Sequence, residues 1–284
     1  MKEKIGLILE GGAMRGMFSC GVMDVLMENN IVFDGAVAVS AGACFGCNVK
    51  SKQPGRAIRY NLQFCKDPKY GSMRSLIKSG DYYNVDYCYR YVPREVDIFD
   101  EKTFYENPME FHIVTTDIES GETVYYNCEK ADGNLMDWIR ASASLPFFAK
   151  IVDIDGKKLM DGGITDSIPL RYAEKIGYAK NLVILTQPRG YVKEKTGMQG
   201  LLKLKYRKYP KLLEALKRRH LMYNETTEYV FSQEKKGRAF VICPDEKLPI
   251  SRIEHDPAKL KLVYELGRKV ATEKLAELVQ FLEK

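Results

Sequence analysis

The chain has 284 residues, of which 45% are hydrophobic and 29% charged, the composition of a folded globular protein rather than of a disordered or fibrous one. Its net charge of +6 is not spread evenly: residues 193–219 hold ten basic side chains against Glu194 and Glu214, so the rest of the chain is slightly acidic and any attraction to an anionic surface is local. The longest uncharged stretch, residues 35–49, falls short of the roughly 20 residues that span a bilayer, and the apolar run 5–9 is too short for a signal-peptide core.

In chain order, residues 5–9 read as a short buried strand stopped by Glu10-Gly11-Gly12, and residues 17–27 follow as a helix that ends at Asn29-Asn30. Residues 36–39 repeat the pattern, a strand running straight into Ser40-Ala41-Gly42-Ala43 and a small-residue helix ending near Lys50. Two strand-turn-helix units in fifty residues predict an α/β domain with parallel strands, whose functional groups gather at the strands' carboxyl ends. Residues 55–108 are mostly helical with breaks. Tyr82, Tyr83, Tyr87, Tyr89 and Tyr91 read as an aromatic loop or cap used for packing.

Residues 111–116 and 123–126 alternate like the strands of a hairpin, and residues 150–160 read as a second hairpin turning at Asp155-Gly156. Between them, residues 135–144 form a helix ending before Pro146. A buried strand at 182–185 precedes the basic, leucine-rich segment, where Pro210 marks a kink or a restart. A strand at 239–243 and an amphipathic helix at 257–282, with Leu260, Val263, Leu266, Val270, Leu275, Leu278 and Leu282 on one face, complete the chain.

Ser40 is the first candidate for chemistry. It sits between a strand and small residues, in an A-x-S-x-G form of the G-x-S-x-G elbow, where a sharp turn lifts the hydroxyl clear of the sheet. Gly11-Gly12-Ala13-Met14-Arg15-Gly16 offers backbone amides that could hold an oxyanion. The same loop fails as a nucleotide site: Met17 and Phe18 replace the Lys and Ser/Thr of a P-loop, and Ala13 occupies the second-glycine position of the dinucleotide fingerprint.

The three histidines, His112, His220 and His255, lie in contexts poor for a base. His255 keeps a Ser-Asp-His order open, while a carboxylate in a dry site could act instead. Cys44 and Cys47 form a C-x-x-C with no second pair, which reads as two small apolar residues on a buried helix rather than as a redox or zinc motif. Seven cysteines without a regular framework fit a reducing cytoplasm.

Together, the segments 10–16, 39–43 and Asp161-Gly162-Gly163, with Ala141-Ser142-Ala143-Ser144-Leu145-Pro146 before the aspartate, resemble the ordered motifs of patatin-like phospholipases. The resemblance implies a three-layer α/β/α fold with a mainly parallel central sheet. It implies a serine acyl hydrolase in which Ser40 attacks an acyl lipid ester, Asp161 is its base, and Gly11, Gly12, Ala13, Arg15 and Gly16 form the oxyanion and substrate-binding loop. Arg15 would fix that loop or meet a lipid phosphate. Neither metal nor cofactor is required.

Two departures stand out: Ala38 replaces the leading glycine of the elbow, and Ala13 a third glycine of the loop, which matters if that residue needs a positive φ. They motivate the alternative of a catalytically weak lipid-binding or regulatory protein that keeps the fold. Residues 1–284 are expected to form a single domain with its motifs in about 5–185 and a basic helical part, about 190–284, packed on or capping it. That basic part reads either as a solvated face or as a peripheral contact with anionic membranes through 193–219, ahead of nucleic acid, for which no recognised motif is present. The oligomeric state has no sequence signal.

Overall fold

In the computed structural model, which describes residues 3–129 and 133–283, the sheet runs β5-β6-β3-β2-β1-β7-β8. Its strands are β1 (Lys4–Leu9), β2 (Gly35–Val39), β3 (Glu110–Asp117), β4 (Thr123–Asn127), β5 (Val152–Ile154), β6 (Lys157–Asp161), β7 (Tyr178–Ile184) and β8 (Ala239–Ile242). The five strands β3, β2, β1, β7 and β8 are mutually parallel; β4 and β6 pair antiparallel with β3, and β5 pairs antiparallel with β6. The chain leaves β1 toward β2 and β3 on one side and returns to β7 and β8 on the other. This reversal opens a crevice at the carboxyl ends of the central strands.

Strand periodicity sorts the core into two layers. Leu7, Leu9, Ala36, Ala38, Phe111 and Ile113 pack on one face with Phe18, Val22 and Val263, while Ile8, Val37, Val39, Val114 and Val183 pack on the other with Leu170, Tyr223 and Val230. The first face carries α1 (Gly16–Glu28), α2 (Ala41–Lys50), α3 (Arg56–Phe64), α6 (Leu135–Ser142) and α10 (Pro257–Glu283); α4 (Met73–Ser79) and α5 (Glu101–Glu106) lie in the 55–108 stretch with a π-helical segment, Tyr87–Val96. The second face carries α7 (Leu170–Lys175) and α9 (Pro210–Lys235). The fold is therefore a mixed α/β architecture with a mostly parallel central sheet and helices on both sides. A third cluster, including Met160, Ile164, Leu202, Leu212 and Leu216, lies beneath α8 (Gln199–Lys205) and the start of α9.

Both predicted hairpins form, and Pro210 starts a helix instead of kinking one, since its missing N–H is no loss in the first turn. The helix at 170–175, which is only six residues long, has too short a pattern to stand out in the sequence.

The carboxyl-terminal helix docks on the first one at backbone contact. A Cβ on Gly21 would lie 2.0 Å from the Tyr264 carbonyl oxygen, and one on Gly267 would lie 2.0 Å from that of Phe18. Tyr264 also donates to Asp24 (2.8 Å), and Arg268 forms a two-pronged ion pair with Glu28 at the rim. Gly267→Ala should force the helices apart and destabilise the protein by about 1–3 kcal/mol, lowering its melting temperature by at least about 2 °C. Gly197→Ala, with nothing within 4 Å of the new methyl, should leave the melting temperature almost unchanged.

Candidate active site

The ends of β1, β2, β6 and β7 converge on one cleft. At the end of β1, Glu10 is buried, and its carboxylate accepts hydrogen bonds from Thr186 N–H (2.5 Å), Thr186 Oγ1 (3.1 Å) and Tyr223 Oη (2.7 Å). It thereby ties β1 to Thr186, just beyond β7, and to α9. Gly11 and Gly12 lie against walls that leave no room for a side chain: a Cβ would sit 2.8 Å from Ser40 Cβ in one case and 2.6 Å from Thr186 Oγ1 in the other.

The N–H groups of Gly11, Gly12 and Ala13 have no protein acceptor among the described residues, whereas those of Met14 and Arg15 are bonded to Arg252 O (3.3 Å) and Gly12 O (3.2 Å). Three neighbouring donors are thus free, the arrangement an anion site requires. Gly16 differs from expectation. Its N–H is bonded to the carbonyls of Ala13 and Met14, and a Cβ there would meet Phe45 at 2.8 Å, so Gly16 lets α1 approach α2 and donates nothing to the cleft.

Ser40 follows the last residue of β2 with φ 55° and ψ −121°, and α2 starts at the next residue. This conformation is costly for an L-residue, on the order of 1–3 kcal/mol. Contacts on both sides hold it: Ser40 N–H donates to Ser142 Oγ (2.8 Å), whose hydroxyl donates to Val114 O (2.6 Å), and Gly42 passes Leu9 so closely that a Cβ would lie 2.6 Å from its carbonyl oxygen. Ala38 is fully buried in the first-face core, so its methyl group is accommodated.

Asp161 closes β6. Its N–H donates to Ser144 O (3.0 Å) and its carbonyl accepts from Thr116 Oγ1 (2.9 Å), which fixes the backbone from two sides. Its side chain accepts from Gly163 N–H (2.8 Å) through Oδ1 and from Ser40 Oγ (2.6 Å) through Oδ2. Burial raises the carboxyl above its ordinary range; the Ser40 hydrogen bond, Arg219, the Gly163 amide and Arg252 pull in the opposite direction.

No histidine enters this contact. His255 faces Tyr82 Oη (2.7 Å) and Cys65 O (2.6 Å), His112 lies between Glu110 and Tyr172 at 3.3 Å each, and His220 is on the wall of the outer cavity.

Ser40 lines two spaces, and a third adjoins both through Ala13 and Leu145. On one side is an apolar chamber of about 130 Å³ bounded by Met14, Phe45, Tyr60, Tyr89, Val92 and Met136. The tyrosine-rich segment therefore contributes wall as well as packing. Cys44 and Cys47 line the same chamber from α2, and burial pushes their thiols up to about 12 and about 11, so they behave as small apolar groups. Outward lies a vestibule of about 870 Å³ between Tyr82, Leu145–Phe148, Met198 and Leu202.

Around the dyad itself, Gly11–Ala13, Ser40 and Asp161 share a polar pocket with Arg15, Lys193, Arg219 and Arg252. Arg15 was anticipated; the other three were not. Lys193 and Arg219 are the two ends of the basic run, whose composition concealed that they turn inward, and Arg252 has no distinguishing sequence context. Arg219 Nε donates to Gly163 O (2.6 Å), bracing the turn that carries Asp161.

Ala13 has φ +50°, so the loop does require the left-handed conformation at the position where a third glycine would stand. Ala13→Gly should relieve this strain and leave stability within about 1 kcal/mol of the parent, because the extra freedom of glycine in the unfolded chain offsets part of the gain. Denaturant melts of the two proteins measure it; a loss larger than this would show that the Ala13 methyl, which borders both chamber and vestibule, contributes packing that outweighs its strain.

A family model described as patatin-like phospholipase matches residues 7–174, and another described as a domain of unknown function matches residues 209–283. The uncharacterized protein YjjU of Escherichia coli (strain K12) is 25% identical over 283 residues, covering 93% of this chain and 75% of that protein. Lysophospholipase nte1 of Emericella nidulans is 25% identical over 209 residues, which is 70% of this chain but 13% of that much longer relative. Among solved structures, VipD from Legionella pneumophila aligns with 99% of this chain and 67% of its own, at 13% identity and a TM-score of 0.48.

Proposed function

The chain belongs to the patatin-like phospholipase family, a family of lipid ester hydrolases, and from this we propose that it cleaves carboxylic esters of acyl lipids through a Ser40–Asp161 dyad and an acyl-enzyme. The observation that carries the reading is the 2.6 Å contact between Ser40 Oγ and Asp161 Oδ2 in a buried site. Asp161 takes the hydroxyl proton as Ser40 attacks the acyl carbonyl and returns it to the departing alcohol. Water then repeats the sequence on the acyl-enzyme.

The oxyanion is received by the free N–H groups of Gly11, Gly12 and Ala13. Ser40's own N–H does not take part, being bonded to Ser142. The apolar chamber, on the scale of a cavity that holds benzene, takes about the first six carbons of the acyl chain, and the vestibule takes the alcohol side.

Ser40→Ala and Asp161→Asn should each lower ester hydrolysis at least about a thousandfold while leaving the melting transition in place. A fluorophosphonate should label wild-type protein at Ser40. Folded protein that neither reacts with it nor hydrolyses esters would instead be a lipid-binding protein that keeps the fold. Because Asp161 works as the carboxylate and burial raises its pKa, kcat/KM should fall as the pH is lowered through a value above the ordinary 3.8.

No described helix is long and apolar enough to cross a membrane. Leu201 and Leu204 on α8 are 57% and 71% exposed, and Val192 and Met198 just before it are 67% and 46% exposed, with Lys195, Lys203, Lys205, Arg207 and Lys208 beside them. Leu202 of the same helix is buried and lines the vestibule. Apolar side chains flanked by cations at the mouth of a lipid-sized cavity suit an anionic bilayer. Leu201→Ser with Leu204→Ser should weaken co-sedimentation with phosphatidylglycerol vesicles and slow hydrolysis of vesicle lipid more than of a soluble ester; equal effects on both substrates would remove this role for α8.

A further inference from the structure

The polar pocket around the dyad has more positive charge than its carboxylates can neutralise. Lys193, Arg219 and Arg252 arrive from three separate stretches of chain and meet Arg15 there, and none of the four forms an ion pair among the described residues. The two carboxylates in the lining are both occupied. Glu10 accepts from Thr186 and Tyr223, and Asp161 accepts from Ser40 and Gly163.

The cations have few partners of their own. Arg219 is held by one bond, from Nε to Gly163 O, and the Lys193 ammonium lies 4.2 Å from the centre of the Tyr223 ring with no hydrogen-bond acceptor among the described residues. Lys193 and Arg219 are half-buried, and cations there that repel each other and lack counter-ions are a standing cost that an anion would remove, with the exposed Arg252 at the rim adding to the same positive field. Lys193 feels it directly: burial first, then Arg219, with Arg15 and Arg252 adding to it and Glu10 opposing, push its ammonium down to about 7.

Lys193, Arg219 and Arg252 also line the vestibule, whereas none of the three borders the apolar chamber. They therefore stand on the side of Ser40 where the alcohol portion of an ester would lie. Guanidinium forks from two directions and an ammonium match the several oxygens and the one or two charges of a phosphate ester, which a neutral glyceride lacks.

We propose that Lys193, Arg219 and Arg252 form a phosphate subsite that selects acyl lipids with an anionic phosphate head group over neutral acyl esters. The proposal rests on the reading of Ser40 as nucleophile. A neutral substrate would leave Lys193 and Arg219 half-buried and unpaired; a phosphate head group satisfies them, with Arg252 reaching it from the exposed rim, while holding the ester over the dyad.

The experiment separates the two readings. First, folded Ser40→Ala protein is titrated calorimetrically with inorganic sulfate, glycerol 3-phosphate and glycerol. Both anions should bind saturably and glycerol should not, and Lys193→Met or Arg252→Gln introduced into the same protein should weaken each anion about tenfold. Sulfate does not titrate near neutrality, so the proton it draws onto Lys193 at pH 7.5 should appear as a buffer-dependent heat that Lys193→Met abolishes.

Second, 1-acylglycerol 3-phosphate and the matching monoacylglycerol are compared as substrates. Wild type should favour the phosphate ester, and the ratio of the two kcat/KM values should fall about tenfold in Arg252→Gln and in Lys193→Met, with both variants confirmed folded by their melting transitions. No anion binding to folded Ser40→Ala protein overturns the subsite. Anion binding with an unchanged substrate ratio in both variants makes it a site for a free anion and overturns the head-group assignment. Anion binding that the variants weaken, in a wild type that hydrolyses neither ester, supports the subsite and overturns the reading of Ser40.

Discussion

Ser40 has φ 55° and ψ −121°, a conformation that an L-residue holds only when its surroundings leave no relaxed alternative. Those surroundings reach far along the chain. Gly42 allows α2 to run against Leu9, Gly11 allows the glycine loop after β1 to pass over the serine, and Ser142 bonds both Ser40 N–H and Val114 O, linking β2, β3 and α6 at one hydroxyl. Asp161 is then fixed by Ser144 from the segment after α6 and by Thr116 from β3. The turn that exposes the hydroxyl and the strand that presents the carboxylate are braced by the same few elements, which is why the two side chains meet at hydrogen-bond distance without an intervening group.

The second half of the chain completes what the first half begins. Glu10 sits at the end of β1, but two of its partners come from Thr186 and one from Tyr223 on α9. Arg219, also on α9, bonds the turn that follows Asp161, and Arg252 accepts the Met14 N–H through its carbonyl oxygen. Helix α10 docks on α1, the helix that follows the Gly11–Arg15 loop, through Gly21 and Gly267. The family match stops at residue 174, yet the cleft is closed by residues beyond it.

How far this could be read from the sequence depends on the range over which each feature is determined. The strands and most helices are legible because alternation and small-residue turns are local, and the tight turns at Gly11, Gly12 and Ser40 are legible because close backbone approach restricts the residues that fit, whereas Asp161-Gly162-Gly163 alone looks like any turn and stands out only through the family resemblance. Gly16 defeats the same reading: a small residue at the head of a helix looks alike whether it donates to a ligand or lets a neighbouring helix come near, and here Phe45 decides. Lys193, Arg219 and Arg252 were beyond reach because their roles come from tertiary placement. In a basic run a lysine that turns inward has the same neighbours in sequence as one that faces solvent.

Placing cations around the carboxylate proposed as the base sets two demands against each other. Burial makes Asp161 more basic, as a proton acceptor for serine should be, while Arg219 and Arg252 make it less so. Without substrate, Ser40 Oγ and Gly163 N–H both donate to Asp161, and such bonds favour the charged form of a carboxylate that burial disfavours. In the proposed complex a phosphate head group would neutralise those arginines and screen them from Asp161, so the opposing influence of the cations weakens while burial remains. The carboxylate would gain basicity at the moment the ester is in place. On this reading the anion does more than anchor the lipid: it converts cations that restrain the base in the empty site into ones that are occupied elsewhere when the serine attacks.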